Sequence, residues 1–213
     1  MKLKKQSQLS VTFLLDESGS MESIKNDVIE GFNEYIHSLK KQKNSTFKFT
    51  LTKFDSNGIT TPYVGVDIRK VEKLTDNTYH PGAMTPLYDA VVEAVEKVVD
   101  EVKDNQPVLV AILTDGFENA SKEHNEQCLT DLIKRLQAKG NWTFVFLGAN
   151  QDSWATAQRL GIFKGNVMDW QATPQGTSQV LSAMAMSTGN FAANVNTGTS
   201  LKSTNFFDKG GAK

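Results

Sequence analysis

Two stretches of this chain, Val11-Thr12-Phe13-Leu14-Leu15 and Val108-Leu109-Val110-Ala111-Ile112-Leu113, are nearly unbroken apolar runs. A strand that is apolar at consecutive positions buries both of its faces, which places it inside a parallel sheet covered on each side. Between and after these runs the apolar spacing becomes helical. From Glu22 to Lys41, the residues Ile24, Val28, Ile29, Phe32, Ile36 and Leu39 form one stripe, with Lys and Glu on the other face. Leu87, Val91, Val92, Val95, Val98 and Val102 trace a second stripe behind Pro86, and Leu129, Leu132, Ile133 and Leu136 trace a third, closed by Gly140.

The remaining segments continue the pattern. Thr46 to Phe54 alternates apolar and polar residues, Asp55-Ser56-Asn57-Gly58 supplies turn chemistry, and Ile59 to Val66 is extended again, which predicts a hairpin at a sheet edge. Trp142 to Leu147 reads as a strand, Ser153 to Leu160 as a short helix, Val167 to Trp170 as extended chain, and Thr177 to Ala193 as a helix. Strand and helix therefore alternate throughout. The fold expected is α/β, a Rossmann-like doubly wound and mostly parallel central sheet, with one antiparallel edge strand and helices on both faces.

With 213 residues, 39% of them hydrophobic, the chain is sized for one core. The expected division is an N-terminal lead over 1–8, one domain over 9–193 and a mobile tail over 194–213, rich in Asn, Thr, Gly, Ser and Lys. Phe206 and Phe207 are the exception within that tail, and a loose end is preferred there to the alternative of a short docking peptide. Lys and Arg total 23 against 24 Asp and Glu, so the net charge of -1 offers no field for nucleic acid or an anionic membrane, and neither is expected as a partner. No stretch approaches the roughly 18 apolar residues that a spanning helix needs. A single cysteine, Cys128, excludes an internal disulfide, a zinc ribbon and a CxxC pair, and points to a cytoplasmic protein. Cys128 itself, beside Leu129 on a helix, reads as a small buried filler, and Trp154 and Trp170 as packing residues.

Ligands of open α/β sheets bind beyond the carboxyl ends of the strands, where the strand order reverses. The first strand runs into Asp16-Glu17-Ser18-Gly19-Ser20, and the strand over Val108 to Leu113 runs into Thr114-Asp115-Gly116. A third polar loop, His80 to Pro86, carries the hydroxyl of Thr85. Asp16, Ser18, Ser20, Thr85 and Asp115 supply oxygen only, which suits a hard divalent cation and disfavours zinc or copper. Spacing by two lets Asp16, Ser18 and Ser20 point the same way from an extended turn. Three of the five are neutral, so a bound ion stays under-neutralised and favours an acid from elsewhere.

The string Asp16-x-Ser18-x-Ser20, a Thr85 in a Gly-x-x-Thr-Pro-Leu loop and a later Leu-Thr-Asp-Gly ending at Gly116 resemble the metal-ion-dependent adhesion site of von Willebrand factor A domains. All five motif positions match, over a resemblance covering about residues 9 to 193. The resemblance implies that Ser18, Ser20 and Thr85 supply hydroxyl oxygens, that Asp16 and Asp115 act directly or through water, and that Mg2+, with Mn2+ or Ca2+ as alternatives, recruits a Glu or Asp carboxylate of a partner protein. It further implies no catalysis, and in some members a last helix that moves. One departure is visible. The loop reads Gly82-Ala83-Met84-Thr85, where many members have Gly-Gly-Thr, which sets Met84 beside the ion as an apolar contact for a partner.

Each piece also has a plainer reading. Ser18 and Ser20 can cap the helix that follows, Asp115-Gly116 can be an ordinary turn, and Thr85 before Pro86 an ordinary helix start. Asp89 and Glu118 lie near the site but serve a helix's first turns as well, and His80 reads as a solvated bystander. The rival function is a Mg2+-dependent phosphoryl-transfer hydrolase of the haloacid dehalogenase type. That chemistry needs a second acid two residues after the first, where Ser18 stands, and the chain has no GxxxxGK[ST] loop, GxGxxG turn or GxSxG elbow. A third reading, drawn from similar domains, is an accessory to an AAA-type ATPase machine.

Overall fold

The computed structural model describes residues 8–149 and 153–207. Six strands form one sheet: β1 (Gln8–Asp16), β2 (Thr46–Asp55), β3 (Gly58–Asp67), β4 (Val108–Thr114), β5 (Trp142–Ala149) and β6 (Val167–Trp170). Their order is β3-β2-β1-β4-β5-β6, and every neighbouring pair is parallel except β2 with β3. The hairpin therefore lies at the edge, as its alternating sequence requires, and β3 exposes every second residue from Gly58 to Val64 while β4 exposes none.

Helices α1 (Lys25–Lys40), α2 (Leu87–Val99), α3 (Glu126–Ala138), α4 (Ser153–Arg159) and α5 (Pro174–Thr197) divide between the two faces. On one face Val11, Phe13 and Leu15 of β1 with Leu109, Ala111 and Leu113 of β4 pack beneath α1 and α5. On the other, Leu14 with Val108, Val110 and Ile112 packs beneath α2 and α3. A one-residue alternation of apolar side chains in opposite directions explains why both central strands read as continuous apolar runs. At about 25 cal/mol per Å2, this two-sided burial is the main source of stability.

The sheet order reverses between β1 and β4: the chain proceeds outward from β1 to β2, then crosses back to β4. Two carboxyl ends, at Asp16 and Thr114, therefore open onto one crevice. No helix among the described residues is long and apolar enough to cross a membrane.

Several expectations need correction. The lead over 1–7 and the tail over 208–213 lie outside the described residues, and Gln8 already belongs to β1. The stretch from Asn194 to Phe207 is not loose. α5 continues to Thr197 and ends at Gly198, whose φ of 74° only glycine adopts at little cost. The chain then turns back so that Phe206, 5% exposed, packs edge-on against Phe191. Fully buried Asn166 holds this strap: its amide donates to the Phe144 and Ser203 carbonyls and its Oδ1 accepts the Phe206 N–H at 2.9 Å. Polar composition concealed one aromatic anchor and its asparagine clasp. Cys128 is exposed, because α3 buries the Leu129, Leu132, Ile133 and Leu136 stripe beside it. Trp154 is 41% exposed, with the Lys164 ammonium 5.2 Å above its ring, whereas Trp170 is buried.

Candidate metal centre

Asp16 ends β1 and is fully buried. Its Oδ1 accepts the Ser18 N–H at 2.7 Å, and its Oδ2 accepts the Thr114 hydroxyl at 2.5 Å. Its main-chain carbonyl accepts the hydroxyl of buried Tyr79 at 2.7 Å. Burial pushes the Asp16 carboxyl up to about 6; the hydrogen bonds from Thr114 and Ser18 pull the other way, and the Asp115 charge adds a smaller upward push.

Ser18 and Ser20 follow on a tight turn over Gly19–Ile24 that leads into α1. Ser18 occupies the capping position of that turn, yet its side chain makes no capping hydrogen bond. Its Oγ instead lies 3.2 Å from Ser20 Oγ, which in turn donates to Asp115 Oδ1 at 2.5 Å. Asp115 is raised by burial, with the Ser20 hydroxyl opposing. The plainer capping reading of Ser18 is thus not what the structure shows.

Thr85 arrives from the loop between β3 and α2. Its N–H donates to Asn119 Oδ1 at 2.7 Å, and its carbonyl accepts the Asn119 N–H at 3.1 Å. Two residues earlier Ala83 holds a φ of 55°, a left-handed conformation unusual for a residue with a Cβ, and its carbonyl accepts the Gly19 N–H at 3.0 Å. The loop is thereby tied to the Ser18–Ser20 turn through Ala83.

The convergence of these groups is clearest at Gly116. A Cβ on this residue would lie 2.9 Å from Thr85 Oγ1, 3.7 Å from Ser20 Oγ and 3.8 Å from Ser18 Oγ. Three hydroxyl oxygens from two loops therefore surround one small space that stays open because residue 116 has no side chain. Asp115 borders it through Ser20, and Asp16 joins it through the Ser18 amide and Thr114. All five residues singled out in the sequence stand together. Among the described residues no group of three or more His, Cys, Asp or Glu could hold a metal. The donor chemistry at this place is hydroxyls with two carboxyls, which fits a hard cation.

Several supporting residues had little or no signal in the sequence. Thr114 stood within the motif string, but its tie to Asp16 depends on the pairing of β1 with β4. Tyr79 and Asn119 are loop residues whose partners are fixed only by folding. Glu17, nearly buried, pairs with Lys53 at 2.9 Å and accepts the His80 N–H, anchoring the loop that carries Thr85. His80 itself is exposed. Asp89 and Glu118 stay outside the site and organise the segment after β4: Asp89 accepts N–H groups of Lys122, Glu123 and His124, and Glu118 those of Tyr88, Ala120 and Ser121.

The family model of the von Willebrand factor type A domain matches residues 10–203. The chain belongs to this family. Among solved structures, this von Willebrand factor type A domain is similar to a von Willebrand factor type A protein from Catenulispora acidiphila, at 16% identity over 86% of this chain and 43% of that one, TM-score 0.59. It is similar to proximal thread matrix protein 1 from the mussel byssus with a zinc-occupied metal-ion-dependent adhesion site, at 14% identity over 86% of this chain and 46% of that one, TM-score 0.61. A third similar structure is the manganese-loaded TRAP protein of Plasmodium vivax, at 15% identity over 83% and 72% of the two chains, TM-score 0.53. These likenesses show the fold, and the domain spans less than half the length of the first two proteins. No curated protein matches the chain.

Proposed function

We propose that this domain is a metal-dependent protein-binding module. Ser18, Ser20 and Thr85 supply hydroxyl oxygens to a divalent cation, Asp16 and Asp115 hold it directly or through water, and the cation takes a Glu or Asp carboxylate from a partner protein. The single observation that carries this reading is the space beside Gly116, around which the three hydroxyls gather. The buried carboxyls add to it: both are raised by desolvation, an unfavourable state that a bound cation relieves. Zinc and manganese in two proteins of the same fold support a divalent ion, and the oxygen-only donors favour Mg2+. Catalysis forms no part of the proposal, because Ser18 stands where the haloacid dehalogenase type of chemistry needs its second acid.

The test is thermal unfolding and calorimetric titration with MgCl2 and with EDTA, for the wild type and Asp16→Ala. The wild type is expected to bind Mg2+ and to melt higher with it, and Asp16→Ala to lose both responses. Wild-type melting that is the same in MgCl2 and in EDTA, with no heat of binding, overturns the proposal.

A further inference from the structure

Six large apolar side chains are exposed among the described residues, and two of them, Met84 at 50% and Phe117 at 59%, stand in the loops of the candidate metal centre. Met84 immediately precedes Thr85, and Phe117 immediately follows Gly116. Neither is presented on slack chain. The Met84 N–H donates to Ser56 Oγ at 3.1 Å and its carbonyl accepts the Ser56 N–H at 2.9 Å, so the hairpin turn clamps it from both sides. Phe117 lies between two fixed residues. The Gly116 N–H donates to Thr114 Oγ1 at 3.1 Å, and the Glu118 carboxylate accepts the N–H groups of Tyr88, Ala120 and Ser121.

Apolar side chains held out on hydrogen-bonded backbone lose little freedom on docking, which makes them suited to anchor an interface. Packing over them also excludes water, and a contact between cation and carboxylate strengthens as water leaves. The local charge narrows the partner further. Asp16 and Asp115 already set two carboxyls at these strand ends, Glu17 being paired with Lys53, so the site matches one incoming carboxylate and opposes an acidic run.

We propose that the partner is a peptide segment carrying a single Asp or Glu flanked closely by apolar side chains, which pack on Met84 and Phe117 while the carboxylate meets the cation. This rests on the metal-dependent reading above. The experiment is selection of a displayed random dodecapeptide library on the purified domain in MgCl2 and in EDTA, followed by affinity measurements with synthetic copies of the enriched peptides. The comparison is with the double variant Met84→Ser, Phe117→Ser, whose Mg2+ affinity is measured in parallel by calorimetry.

The expected result is enrichment, in Mg2+ only, of peptides with one acid beside Leu, Met, Phe or Trp, which bind the double variant at least about tenfold more weakly at unchanged Mg2+ affinity. Enriched carboxylate peptides without apolar flanks, bound equally by the double variant, overturn this proposal and leave the metal reading standing. Mg2+ binding with no peptide enriched overturns it likewise. Absence of Mg2+ binding removes both.

Discussion

The Thr114 hydroxyl donates to Asp16 Oδ2 at 2.5 Å, joining the carboxyl ends of neighbouring strands β1 and β4 across 98 residues of sequence. That bond locks one oxygen of a fully buried carboxyl whose other oxygen is held by the Ser18 amide. Asp16 is therefore held in one orientation, at the cost of burying its charge.

This cost sets a pH dependence. The Asp16 carboxyl titrates at about 6 in the fold against an ordinary 3.8, so between roughly pH 4 and 6 the folded state holds the extra proton and metal-free stability falls as pH rises. Above about 6 the penalty is complete, on the order of 3 kcal/mol. Asp115 shifts in the same direction. Asp16→Asn should flatten the slope and raise the metal-free melting temperature at pH 7, as checked by unfolding in EDTA from pH 4 to 8.

A methyl group at residue 116 should act on the same space directly. Gly116→Ala sets a Cβ 2.9 Å from Thr85 Oγ1, so that hydroxyl must shift. Overpacking of this kind costs about 1–3 kcal/mol in the metal-free domain. The Mg2+ affinity should drop by about tenfold or more. Melting in EDTA and calorimetry with MgCl2 read the two effects separately.

The Lys53–Glu17 pair makes a prediction about the loop that carries Thr85. Both side chains are nearly buried, at 13% and 12% exposure, and Lys53 also donates to the Thr78 carbonyl at 2.6 Å. Lys53→Met leaves the Glu17 charge without its partner and should cost about 3 kcal/mol. The double variant Lys53→Met, Glu17→Gln should recover part of that loss, measured by urea unfolding.

Phe206 tests whether the C-terminal strap belongs to the fold. It is 5% exposed and packs with Phe191 and Phe207, so Phe206→Ala should destabilise the domain by about 3 kcal/mol. An unchanged urea midpoint would mean that the strap contributes nothing in solution.

Much of the domain was legible along the chain. The apolar runs of β1 and β4 betray two-sided burial, the stripe from Ile24 to Leu39 marks α1, and Asp55-Ser56-Asn57-Gly58 marks the edge hairpin. The positions 16, 18, 20, 85 and 115 were legible for a different reason: residue chemistry and loop position are local properties, read without knowing where the loops meet. What failed was inference from composition. Asn194 to Phe207 looked loose because its polar residues outnumber Phe206, and Cys128 looked buried because its neighbours are.

Periodicity and residue type thus determined the strands, the helices and a set of oxygen-bearing side chains in three polar segments, since each depends on a few neighbouring residues. Only the tertiary structure decided that these side chains converge. The strand order brings β1 beside β4, the Asn119 and Ala83 contacts draw in the Thr85 loop, and Gly116 leaves the space between them. Those relationships join residues far apart in the chain through packing and hydrogen bonds, and no local pattern encodes such a distance.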